Sequence, residues 1–123
     1  MSETKIAESI IETTSKDFKG KVDPDWCPGC GDFSVLNALK KALFELGLSP
    51  HEILVVSGIG CSSNLPGFIN TYGMHTLHGR GLAVATGAKL GNHKLKVIAT
   101  GGDGDGFGTV SYTHLTLPTI LLV

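Results

Sequence analysis

The sequence predicts an α/β domain built on a parallel sheet, and three observations carry that prediction. Ile53–Val56 is a short, continuous apolar run closed by Gly58, the mark of a strand buried on both faces. Residues 80–92 (RGLAVATGAKLGN) space small and apolar residues closely, as in a helix packed on a sheet, and Leu95–Thr100 reads as a second strand after it. Strand, helix and strand in that order imply a parallel crossover, normally right-handed. Glycine supplies the third observation: 13 of the 17 glycines lie between Gly58 and Gly108. Such a density implies that backbone approaches a ligand or another chain closely.

Taken in order, residues 1–24 form a polar, lysine-bearing N-terminal arm, with a short amphipathic helix through Ile6, Ile10 and Ile11 as one conformation open to it. The arm is expected to pack on another surface or to stay mobile. Next comes a tight proline and glycine loop, DPDWCPGCGDF. Asp32 stands where an N-cap belongs, ahead of a helix predicted over Phe33–Leu46, with Val35, Leu36, Leu39, Leu43 and Leu46 on one face and Gly47 as its stop. Pro50 turns the chain into the first strand. Residues 58–80 (GIGCSSNLPGFINTYGMHTLHGR) read as loop, with short helical turns at most. The second strand breaks at Gly101, Gly102 and Asp103.

Composition narrows the function. The chain has 123 residues, 41% hydrophobic and 17% charged, with a mean hydropathy of +0.19, apolar enough for a core. Net charge is −1, which disfavours a general electrostatic grip on nucleic acid. No apolar run approaches the roughly 20 residues of a membrane span, and the N-terminus has no signal-peptide core. The expected location is the cytoplasm. There a framework of structural disulfides is improbable, so the odd number of cysteines, three, points to a metal or cluster site one ligand short.

Four segments carry chemistry. GGDGDGFG, residues 101–108, follows a predicted buried strand, where open α/β sheets bind ligands. Its glycines would let a diphosphate reach the main-chain N–H groups, and a carboxylate there can hold a magnesium ion. No G-x-G-x-x-G register fits and no G-K-[ST] follows, which excludes the dinucleotide and P-loop fingerprints. A plain turn remains the alternative. WCPGCG, residues 26–31, sets Cys27 and Cys30 on a bent loop suited to one metal or two corners of an iron–sulfur cluster. A thioredoxin-like pair or two inert core thiols are the alternatives. GIGCSSNL, residues 58–65, brings Cys61 to the same sheet edge as Asp103. MHTLHGRG, residues 74–81, holds the chain's only arginine, Arg80, with His75 and His78, and suits a phosphate or carboxylate contact. Either histidine could instead complete a zinc site with the cysteines, in a small non-catalytic binding module.

Together, WCPGCG, GIGCSS, the histidine–glycine–arginine loop, ATGAKL and GGDGDG resemble the β subunit of 2-oxoacid:ferredoxin oxidoreductases over residues 25–108, most of all the 2-oxoglutarate type, with pyruvate enzymes as near relatives. The resemblance implies a parallel sheet of the thiamine diphosphate-binding fold, here incomplete. It also implies oxidative decarboxylation of a 2-oxoacid to an acyl-CoA and CO₂, with electrons passed through a [4Fe–4S] cluster to ferredoxin. By the resemblance Cys27, Cys30 and Cys61 match three cluster ligands, and Asp103 the Mg²⁺ ligand. Ile59, Gly60, Cys61 and Ser62 match a segment against the thiamine diphosphate, His78 a contact to it, and Gly104 and Asp105 positions beside the diphosphate. The implied partners are the enzyme's α subunit, which supplies the activating carboxylate, ferredoxin, the 2-oxoacid and coenzyme A. After Gly108 the family-like text stops. Residues 109–123 are expected to be a non-native tail, with a divergent edge strand as the alternative. The fourth cluster cysteine and the remaining magnesium ligands are expected beyond the point where this sequence ends.

Overall fold

The computed structural model describes residues 14–109. The strand β1, Ile53–Ser57, is buried along its whole length. It lies between β2 (Tyr72–His75) and β3 (Lys96–Thr100) and runs parallel to both, pairing Leu54 with Tyr72 on one side and with Val97 on the other. Side chains alternate across a strand, so each face of β1 needs its own cover. Ile53 and Val55 face a core of Phe18, Trp26, Leu36, Leu43, Leu65, Phe68 and Ile69. Leu54 and Val56 face Ala85, with Val84, Ala88, Leu95 and Val97 around them. The result is the predicted α/β sandwich, a three-stranded parallel sheet covered on both faces.

The helix α1 spans Asp32–Glu45, one residue earlier than predicted at each end. Asp32 is not the N-cap. Gly31 holds that position, its carbonyl accepting from Ser34 and Val35 N–H at 3.0 and 3.1 Å. Asp32 instead takes helical backbone in the first turn, where its charge complements the helix dipole. Gly47 does end the helix. Its N–H donates to Phe44 O at 2.9 Å and that of Leu48 to Leu43 O at 3.2 Å, a Schellman closure in which Leu48 packs near Leu43. The predicted apolar face is narrower than expected: Leu36 and Leu43 are buried, whereas Val35 and Leu46 are exposed.

Between β1 and β3 the chain forms the short helix α2 (Leu65–Phe68), then β2, then α3 (Gly81–Gly91). The segment read as loop therefore contains a strand. Tyr72–His75 has no buried residue, so it lacks an apolar signature; pairing with β1 alone makes it a strand. The glycine-rich segment after β3 is likewise more than a turn, because Asp103–Phe107 closes into a short helix, α4. Among the described residues, no helix is long and apolar enough to cross a membrane.

Phe18 ties the described part of the N-terminal segment to the core. A 3-10 turn at Ser15–Phe18 delivers Phe18 to a fully buried site, and Gly20 N–H donates to Phe68 O at 3.1 Å. The helix considered through Ile6, Ile10 and Ile11, and the tail from residue 110, lie outside the described residues. Phe18→Ala is expected to cost about 3–5 kcal/mol, the usual range for removing a buried aromatic ring. Urea denaturation checks this; a loss under about 0.5 kcal/mol, typical of surface sites, would detach the segment from the core.

Candidate functional site

Because the three strands are parallel, the loops that follow them gather at one edge of the sheet. Here backbone meets backbone. Gly102 N–H donates to Ile59 O at 2.8 Å, and a Cβ on Gly60 would stand 3.0 Å from Gly102 Cα. Gly60 also has φ +123, which L side chains rarely adopt. The loop after β1 and the loop after β3 can touch only through such residues.

Beside this contact lies a cavity of about 480 Å³. Its walls come from Gly79, Gly81 and Leu82 before and in α3, from Ala99 to Gly102 at and after the end of β3, and from Asp103, Asp105, Gly106 and Phe107 in α4. Ser62 closes another side; among the described residues its buried Oγ has no hydrogen-bond partner. Buried hydroxyls are normally satisfied, so an unpaired one at a cavity wall is suited to a polar ligand.

The two aspartates of GGDGDGFG differ. Asp103 is exposed in the first turn of α4 and lines the cavity. Asp105 is buried, 8% exposed, and its Oδ1 accepts from Gly79 N–H at 2.6 Å. His78 Nδ1 stands 4.0 Å from the same oxygen, too far for a direct hydrogen bond. Ser62, Asp103 and Asp105 therefore line the cavity directly. Ile59, Gly60 and Cys61 precede Ser62 on the loop after β1, His78 adjoins the lining residue Gly79, and Gly104 lies between the two aspartates.

The cysteines sit on two adjoining loops. Cys27 and Cys61 are exposed, Cys30 is half-buried, and all three are free thiols. Trp26 joins the loops: its Nε1–H donates to Cys61 O at 2.7 Å while its ring makes edge contacts with Phe33 and Phe68 at 5.4 and 4.9 Å between centroids. Still, no three His, Cys, Asp or Glu side chains among the described residues converge on a point as a metal site requires. The expected three-thiolate set has donors suited to a cluster, whose thiolates bind separate irons and need not meet at one point. Sequence reasoning passed over Trp26, although the chain's only tryptophan beside C-x-x-C was the available signal. It also missed the bond between buried Ser57 Oγ and His75 Nδ1, 3.0 Å apart, which engages one of the histidines considered for zinc. No local pattern marks that pair.

A parallel sheet with a ligand-sized cavity at its C-terminal edge, walled by glycines and an acidic helix start, defines a class of cofactor-binding α/β domain. Residues 58–116 match the family model of the thiamine pyrophosphate enzyme C-terminal TPP binding domain, a match that runs past Gly108 into the segment expected to be non-native. Within that class the assignment is narrower. The chain is 57% identical over 100 residues to 2-oxoacid:ferredoxin oxidoreductase 1, subunit beta, of Aeropyrum pernix, covering 80% of this chain and 31% of that protein. It is 46% identical over 100 residues to 2-oxoglutarate oxidoreductase subunit KorB of Mycobacterium tuberculosis, covering 81% and 26%. The solved 2-oxoglutarate:ferredoxin oxidoreductase from Magnetococcus marinus, with 2-oxoglutarate, coenzyme A and succinyl-CoA bound, superposes with a TM-score of 0.80 at 44% identity, over 89% of this chain and 38% of that one. The chain belongs to the 2-oxoacid:ferredoxin oxidoreductase β-subunit family, of whose members it spans about a third or less. The small zinc-binding module considered from sequence is set aside by that kinship.

The close approach yields a prediction. Gly60→Ala is expected to destabilise the fold by about 1–3 kcal/mol, the range for a residue forced into sparsely populated backbone. Gly87→Ala in α3, with nothing within 4 Å of the added carbon, is expected to be neutral or to stabilise by about 0.5–1 kcal/mol. Paired denaturation curves check the contrast.

Proposed function

We propose that this chain is the cofactor-binding part of a β subunit that oxidatively decarboxylates a 2-oxoacid, of the 2-oxoglutarate type, to its acyl-CoA and CO₂, passing electrons to ferredoxin. The observation that carries the reading is the cavity at the strand ends, where the unpaired Ser62 hydroxyl and the glycine-walled start of α4 fit a diphosphate-bearing cofactor. Kinship supports it: the matched family model is a TPP binding domain, and the Magnetococcus neighbour holds 2-oxoglutarate and coenzyme A. When bound, thiamine diphosphate supplies the carbon nucleophile and electron sink for loss of CO₂.

The chain's own residues divide the work of holding it. In this reading Ile59, Gly60, Cys61 and Ser62 form the wall against the cofactor, and His78 reaches it from the loop before α3. Gly104 and Asp105 belong to the diphosphate end. Asp103, exposed at the cavity, would be this chain's ligand to Mg²⁺, and the cation would offset the diphosphate charge. Leu82 and Ala99 make the opposite wall apolar, which limits water. Cys27, Cys30 and Cys61 would be the chain's ligands to a [4Fe–4S] cluster. An α subunit would cover the cavity and supply the activating carboxylate. The protein would act in the cytoplasm. Residues 25–108 would be the cofactor and cluster part, 1–24 an arm to it, and 109–123 a foreign tail, a reading that the family match to residue 116 weighs against.

Two experiments test this reading. In the full-length subunit assembled with its partner, Asp103→Ala is expected to weaken thiamine diphosphate binding about tenfold or more and to abolish its dependence on Mg²⁺, by calorimetry, as loss of a charge-assisted ligand should. Undiminished magnesium-dependent affinity would remove the metal-ligand assignment from Asp103. Anaerobic reconstitution with iron and sulfide should give a brown, reducible species that Cys27→Ser weakens severely; recovery of stoichiometric zinc and no cluster would remove the cluster assignment.

A further inference from the structure

Asp105 does something that its place beside the diphosphate does not account for. Carboxylates are seldom buried unless paired, yet Asp105 is 8% exposed and, among the described residues, no lysine or arginine is paired with it, the His78 Nδ1 standing 4.0 Å from Oδ1. Beside that imidazole, backbone from three loops surrounds it. Gly79 N–H, ahead of α3, donates to Oδ1 at 2.6 Å, short as charge-assisted bonds are. Oδ2 occupies the space where Gly58, after β1, lacks a side chain; a Cβ there would overlap it. A Cβ on Gly101, after β3, would stand 2.7 Å from the same oxygen. The main chain of Asp105 is held as well, since Thr109 Oγ1–H donates to its carbonyl at 2.9 Å while the Thr109 side chain packs on Gly79.

We propose that Asp105 is a positioning residue, a clamp whose carboxylate fastens the His78–Gly79 loop to the ends of β1 and β3 and so sets the width of the cofactor cavity through Gly79, without contacting the cofactor or its metal. The consequence for the cofactor rests on the proposed function; the clamp itself does not. The division with Asp103 follows from exposure. Asp103 is exposed at the cavity, whereas Oδ1 of Asp105 accepts from the Gly79 amide and Oδ2 lies in the space beside Gly58 and Gly101. Gly58 is required because the carboxylate fills its side-chain space. His78 is held as the residue next to the clamped amide.

The test uses the same assembled enzyme, with two readouts. Asp105→Ala removes the acceptor, and Asp105→Asn keeps an Oδ1 that accepts from Gly79. Hydrogen exchange of the Gly79 amide is expected to accelerate about tenfold or more in the alanine variant, the worth of one hydrogen bond to a charged group, and by less than about threefold in the asparagine variant. Thiamine diphosphate affinity, measured with Mg²⁺ by calorimetry, should fall in the alanine variant and return to within about threefold of the parent in the asparagine variant. A direct metal or diphosphate contact predicts the opposite, equal losses in both variants with Gly79 exchange unchanged, and that result overturns the proposal. Should the alanine variant not fold, Gly58→Ala reaches the clamp from the other side by displacing Oδ2; unaltered Gly79 exchange in that variant overturns it too. If the parent binds no thiamine diphosphate, the proposed function fails, and Gly79 exchange alone decides for or against the clamp.

Discussion

The direct contact of backbone with backbone at the C-terminal edge of the sheet, where Gly102 N–H reaches Ile59 O and Gly60 lies against Gly102, is the constraint on which the site depends. A side chain at either glycine would separate the loops after β1 and β3. With them apart, Ser62 and Asp103 would no longer share one cavity. The contact in turn requires that β1 and β3 be neighbours in parallel register, Ser57 against Thr100, which sets both loops off from the same level. That pairing is secured by burying β1 on both faces, so packing far from the cavity determines its dimensions.

The same edge carries two kinds of chemistry at different depths. Against the sheet, glycine and the Asp105 carboxylate knit three loops together. Farther out, Asp103, His78 and the thiols of Cys27 and Cys61 are exposed. Trp26 connects the two regions, being buried in the core by its ring and bonded to the Cys61 carbonyl by its nitrogen. In the proposed reading, the groups that would meet a ligand or a partner chain are carried by segments whose backbone is tied to the core, the arrangement that pre-organises a binding site.

Much of this was legible in the residues. Ile53–Val56 announced a strand buried on both faces because an unbroken apolar run has no face for water, and α1 and α3 announced themselves by spacing, α1 also by Gly47. The motifs placed Asp103 and Cys61 at one edge before any coordinates did. β2 was not legible, since Tyr72–His75 has four exposed residues and owes its conformation to hydrogen bonds from a strand 18 residues earlier. Nor was the difference between Asp103 and Asp105: two aspartates in one glycine-rich run look alike until the short helix α4 sends one outward and one inward. Burial of Phe18 was hidden for a similar reason, because a lone aromatic in a polar arm has no periodicity to report it.

The most direct test is an experimental structure of the assembled enzyme containing this chain, with thiamine diphosphate and Mg²⁺ bound. The account predicts the diphosphate in the cavity at the start of α4, the metal on Asp103, and the Asp105 carboxylate still on the Gly79 amide. A cofactor bound elsewhere, with this cavity filled by protein or solvent, would contradict it.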